Sequence, residues 1–110
     1  MTNEKIDKII KEVDKQLSDR AILKDNTKAL SDIKECTDSL LKIDDLDEYS
    51  KEHPDYLTNI GLTIIPWYRY LQRTESAQKQ LEEANKLLDE VKEKHPEFID
   101  RLFKIINKEQ

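Results

Sequence analysis

Glycine and cysteine are almost absent from this sequence. Gly61 is the only glycine in 110 residues, and Pro54, Pro66 and Pro96 are the only prolines. So little turn chemistry cannot supply the tight hairpins of an antiparallel sheet, nor a glycine-rich loop to cradle phosphate. Cys36 stands alone, which excludes an intrachain disulfide and any CxxC redox or zinc motif. No run of basic residues reaches five or six, and the formal net charge is −5. Both facts argue against nucleic acid as a partner and against attachment to an anionic membrane. Long apolar runs are missing as well. The most apolar stretch is interrupted by Asn59, Arg69 and Arg73, so no stable membrane insertion is expected. The opening residues MTNEKIDK lack the basic start and apolar core of a signal peptide. With the lone cysteine, they point to a reducing cytoplasm.

What is present is charge, at 39% of residues, and apolar residues, at 36%, laid out with helical periodicity. Ile6, Ile9, Ile10, Val13 and Leu17 share one face of an N-terminal helix, with Glu4 and Asp7 suited to its positive end. A second helix is expected from about Thr27 to Ile43, capped by Asp25 or Asn26, burying Leu30, Ile33, Cys36 or Thr37, Leu40 and Leu41. Asp44 and Asp45 then stand where an apolar residue is due. The helix should break or bend there, and one of the two should cap a short helix to Glu52. Ala77, Leu81, Ala84, Leu88 and Val91 alternate spacings of four and three along a helix from Glu75 to Lys94, with Thr74 as its cap. That is a packing seam whose alanines allow close approach, by a bundle neighbour or by a second copy in a homodimer. Pro96 should open the last helix, with Phe98, Ile99, Leu102, Phe103, Ile105 and Ile106 on its apolar side.

The stretch from Tyr56 to Arg73, YLTNIGLTIIPWYRYLQR, differs from everything around it. It contains the only Gly, the only Trp, three of the four Tyr, and none of the 24 acidic residues. One stripe runs Leu57, Ile60, Ile64, Tyr68, Leu71 and another Tyr56, Asn59, Thr63, Trp67, Tyr70. A helix apolar on most sides is either central in its domain or awaits a partner. Pro66 removes a backbone donor and clashes with the carbonyl of Leu62, at about 3 kcal/mol in a helix interior. The stretch is therefore expected to be a kinked helix, or two helices meeting near Ile65, with Pro54 in the first helical position.

Two segments echo each other. LDEYSKEHPDYLTNI begins at Leu46 and LDEVKEKHPEFIDRL at Leu88, with Leu, Asp, Glu, His and Pro coincident. The shared content is a helix end, a His-Pro junction and a new helix with an acid near its start. Convergent junction chemistry and a duplicated helical hairpin both account for it.

Catalytic and metal-binding signals are sparse. His53 and His95 each precede a proline, where the plain role is a junction residue or a cation near a helix C-terminus. No HExxH or CxxC pattern is present, and no cofactor or metal is expected. The block Asp44, Asp45, Asp47, Glu48, Glu52 and Asp55 lacks the glycine that a calcium loop needs. Trp67, Tyr68, Arg69, Tyr70 and Arg73 remain. These residue types dominate binding hot spots, so they are the expected partner-binding patch; the alternative is that they cover the core.

The expected fold is all-α and a single domain over residues 1–110. It is an antiparallel four-helix bundle with a short extra helix or bend near residues 44–52 and a proline-kinked central helix. Ile9, Ile10, Val13, Leu40, Ile60, Ile64, Leu81, Leu88 and Leu102 are expected in its core. The expected function is non-enzymatic: a small soluble protein-interaction protein of adaptor, inhibitor or immunity type. In size, charge richness and fold it is similar to the bacteriocin immunity proteins of low-GC Gram-positive bacteria. That likeness implies a protective role by analogy alone.

Overall fold

The computed structural model describes Lys8, Ile9, Lys11 and residues 25–108. Four long helices and one short one follow in order: α1 (Asn26–Leu41), α2 (Leu46–Glu52), α3 (Tyr56–Arg73), α4 (Gln78–Lys94) and α5 (Pro96–Lys108). A 3-10 turn, Glu75–Ala77, leads into α4. No strand occurs among the described residues. Lys8, Ile9 and Lys11 are helical; the rest of the N-terminal helix expected from the sequence lies outside the described residues.

The helix ends follow from local chemistry. Asp25, in extended backbone, accepts the Lys28 N–H at 3.0 Å and starts α1. Asp45 does the same for Glu48, also at 3.0 Å, and starts α2. A carboxylate there satisfies an amide that has no intrahelical partner and lies against the positive helix end. The break at Asp44 is as expected, although α1 stops at Leu41, two residues earlier than expected.

Two junctions differ from expectation. Pro54 is not the first residue of α3 but part of the turn before it, closed by the Tyr56 N–H on the His53 carbonyl at 3.0 Å. Pro54 and Asp55 form the turn between α2 and α3, so the helix starts two residues later. Thr74 does not cap α4 with its side chain; its hydroxyl turns back to the Tyr70 carbonyl at 2.6 Å. That bond ties the chain to the end of α3, and the 3-10 turn bridges the gap.

The central helix α3 is one element that runs through Pro66 rather than two meeting near Ile65. Ile64, Ile65, Pro66, Trp67, Tyr68 and Arg69 are consecutive and all buried. Six residues exceed a full turn, so protein covers every side of the helix here. This decides between the two expectations: α3 is central. Enclosure on all sides holds the helix together where Pro66 lacks its donor.

The helices α1, α4 and α5 pack around α3. The hairpins at Thr74 and His95 make α3, α4 and α5 successively antiparallel. Asn26 bonds Ser76 at 3.1 Å, and Lys94 reaches Leu41 O at 2.7 Å, so α1 and α4 run parallel, start beside start and end beside end. Ala77, Ala84, Leu88 and Val91 are buried and Leu81 is half-buried. The small-residue seam therefore serves the chain's own bundle and leaves no surface there for a homodimer.

Leu40, Ile60, Ile64, Leu88 and Leu102 lie in the core as expected. Leu81 and Ile9 pack at its edge, and Ile10 and Val13 fall outside the described residues. The two echoing segments share a backbone up to the histidine: φ −129°, ψ 76° at His53 and φ −132°, ψ 65° at His95. After it they part, because Pro96 starts α5 directly whereas Pro54 sits in a turn.

Candidate functional site

The aromatic residues of α3 end in polar atoms, and those atoms are satisfied within the bundle. Tyr70 Oη donates to Asn26 Oδ1 at 2.6 Å. Trp67 Nε1 donates to Asp32 Oδ2 at 3.0 Å. The Tyr56 hydroxyl pairs with the Ser39 hydroxyl at 2.5 Å. Partners on α1 descend as positions on α3 rise, so this is an antiparallel polar ladder along the α1–α3 seam. Tyr68 turns the other way and donates to Asn85 on α4. The ring of Trp67 meets Tyr70 edge-on at 5.8 Å, and Tyr68 meets Phe103 at 5.4 Å, both favourable aromatic geometries.

The five residues expected to bind a partner are therefore spread over several directions. Trp67 is 8% exposed, Tyr68 5% and Arg69 9%; Tyr70 is half-buried, and only Arg73 is exposed. Arg69 Nη2 donates to the Ile105 carbonyl at 2.8 Å, in the last turns of α5, where a cation is favoured by the helix dipole. The structure does not bring these five together as an open patch. It uses the aromatic ones to join α3 to its neighbours, because a rigid ring with one polar tip suits a seam that is dry except at its edge.

The histidines have different surroundings. His53 is exposed, its ring 4.3 Å from that of Tyr49. His95 is buried, and its Nε2 lies 3.0 Å from Leu40 O and 2.9 Å from Ile43 O. Two carbonyl neighbours require that nitrogen to carry the proton. Lys94 donates to Leu41 O at 2.7 Å and to Asp44 Oδ1 at 2.9 Å. Adjacent residues at the end of α4 thus donate to three carbonyls, those of Leu40 and Leu41 in the last turn of α1 and that of Ile43 just beyond it. The Lys94 ammonium also holds the exposed Asp44 carboxyl below its ordinary pKa. This is structural capping, and it occupies the His95 nitrogen.

Cys36 offers little reactivity. Burial pushes its thiol up to about 11, Asp32 and Glu35 add to the rise, and a hydrogen bond with Thr63 opposes it. At neutral pH it is a thiol, not a thiolate nucleophile. Among the described residues, no group of three or more His, Cys, Asp or Glu side chains is placed to hold a metal. No helix there is long and apolar enough to cross a membrane.

An open groove of about 500 Å³ lies between the parallel helices α1 and α4. Leu30 and Leu87 are its apolar residues, both half-buried; Thr27 and Ser31 add hydroxyls. Lys34, Lys86, Glu83 and Glu90 complete the lining. None of these four charges has an ion-pair partner among the described residues. Sequence reasoning passed over the groove because Leu87 does not fit the four-three seam. The overlooked signal is the Leu87-Leu88 pair: adjacent helical residues point about 100° apart, so only one of them can face the core along that stripe. No protein family, curated protein or solved structure matches this chain.

Proposed function

We propose that this chain is a small non-enzymatic protein-interaction protein of adaptor, inhibitor or immunity type. It acts in the cytoplasm by docking a helix of another protein on the groove between α1 and α4. The observation that carries this reading is the grouping of two half-exposed leucines with four charges of both signs that have no ion-pair partner among the described residues. An amphipathic helix binds such a groove through apolar anchors, with polar groups at the rim fixing its register. The aromatic ladder supports this indirectly, since it holds α1 at a fixed position and keeps the groove wall rigid. The thiol of Cys36 suits a reducing compartment, where a lone cysteine stays unpaired.

The test is photo-crosslinking in the source cells, with a photoreactive residue placed at Ser31 or Lys86 in the groove, or at Lys51 or Lys104 on other faces. The groove positions should trap one and the same protein, and the others should not. Leu30→Lys with Leu87→Lys should remove that product while circular dichroism stays unchanged. Crosslinks that come only from the other faces, or that survive both substitutions, would overturn the assignment.

A further inference from the structure

We infer that the helix docked between α1 and α4 carries a carboxylate set between two basic residues, each about one turn away along its groove-facing side. This rests on the docking groove proposed above and adds the chemistry of its occupant. Trp67 and Tyr68, neighbours on α3, bond Asp32 on α1 and Asn85 on α4, which puts those two residues at one height. Leu41 and Lys94 keep the same interval, 53 positions, where the two helices end. By that interval Glu83 stands level with Leu30, Leu87 with Lys34, and Lys86 within one residue of Lys34. The two lysines therefore stand at one height on opposite walls of the groove. At 1.5 Å per residue, Glu83 lies about 4.5 Å to one side of Lys86 and Glu90 about 6 Å to the other.

Along its axis the groove thus reads acid, paired cations, acid. None of the four has an ion-pair partner among the described residues, so each is open to a bound helix. A wholly basic helix, the sort that a net charge of −5 attracts from a distance, would set its central cation between Lys34 and Lys86. A wholly acidic helix would meet Glu83 and Glu90. A basic, acidic, basic order opposes every level of the groove, and like-charge contacts reject the other two. Levels one turn apart are three or four residues apart on a helix, so the three charges fall on one face. Leu30 and Leu87, also about one turn apart in height, receive apolar residues at the same spacing.

The experiment is fluorescence anisotropy with the purified full chain and three labelled peptides of about four turns, each held helical by a staple on its outward side. The peptides share two leucines and differ only at three groove-facing positions: Lys-Glu-Lys, Lys-Lys-Lys or Glu-Glu-Glu. The Lys-Glu-Lys peptide should bind at least about tenfold more tightly than either uniform one, with the gap narrowing at high salt. Lys34→Glu with Lys86→Glu should pass that advantage to the Lys-Lys-Lys peptide. Both lysines are exposed, so the substitutions leave the core untouched, and circular dichroism checks the fold. Equal binding of the three peptides, no binding of any, or a ranking that the lysine substitutions leave unchanged would overturn the inference. Tightest binding of a uniform peptide to the parent chain would overturn it too. Each of those results leaves the groove itself in force as the docking site. Binding that survives Leu30→Lys with Leu87→Lys would overturn the groove instead.

Discussion

Replacing Trp67 by Ala separates a packing role from a binding role at the centre of the aromatic stretch. Trp67 is 8% exposed, packs edge-on against Tyr70, and donates to Asp32. Cutting a buried aromatic to Ala costs about 3–5 kcal/mol, through lost transfer energy and the cavity left behind. The hydrogen bond adds less than its charged acceptor would suggest. Asp32 remains a quarter exposed and keeps Lys28 at 3.4 Å, so water and Lys28 can take up the vacated oxygen. Asp32→Ala should accordingly cost only about 1–2 kcal/mol. A small domain has roughly 5–15 kcal/mol in total, so Trp67→Ala should remove a large part of it and Asp32→Ala a minor part.

The assay is urea unfolding. Helical circular dichroism follows every variant, and the emission of the single tryptophan follows those that keep it. Combining Asp32→Ala with Trp67→Phe completes a double-mutant cycle, with an expected coupling of about 1 kcal/mol. If Trp67→Ala stays within about 1 kcal/mol of the parent and merely loses a binding partner, the burial argument fails and Trp67 returns as a contact residue.

Two further predictions concern single groups. His95→Ala should cost about 1–3 kcal/mol, because the Ile43 carbonyl loses its donor and the Leu40 carbonyl keeps only the Ile43 N–H. Faster amide exchange at Lys42 and Ile43 would report it, and His95→Gln should recover part of the loss. Cys36 should resist alkylation at pH 8 in the native protein and react fully in urea. Its folded pKa, about 11, lies above the ordinary value of 9.0, so its stabilising contribution is complete below pH 9 and is lost as pH rises toward 11. The phenols of Tyr56 and Tyr68, lifted above 10 chiefly by burial, act in the same direction at higher pH. Cys36→Ala should flatten the fall between pH 9 and 11 in a denaturation series.

Short-range chemistry made much of this fold legible in advance. Asp25 and Asp45 cap helices because a carboxylate after extended backbone reaches an amide three residues on, whatever surrounds it. The break at Asp44, the start of α5 at Pro96 and the four-three seam of α4 are local in the same sense. Spacing shows which face of a helix is apolar, but not which element covers it. That is why the stretch from Tyr56 to Arg73 read either as a central helix or as one awaiting a partner. Its resolving contacts, Trp67 to Asp32 and Tyr70 to Asn26, span 35 and 44 residues of chain. The two histidines make the same point from the other side. His53 and His95 have nearly the same local sequence and backbone angles, yet one is exposed and the other is buried against the end of α1. The chain alone determined the helices, their caps and their apolar stripes, since those depend on neighbours a few residues away. Only the packing of α1 beside α4 decided which histidine caps a foreign helix end, and which leucine and which charges stay open at the surface.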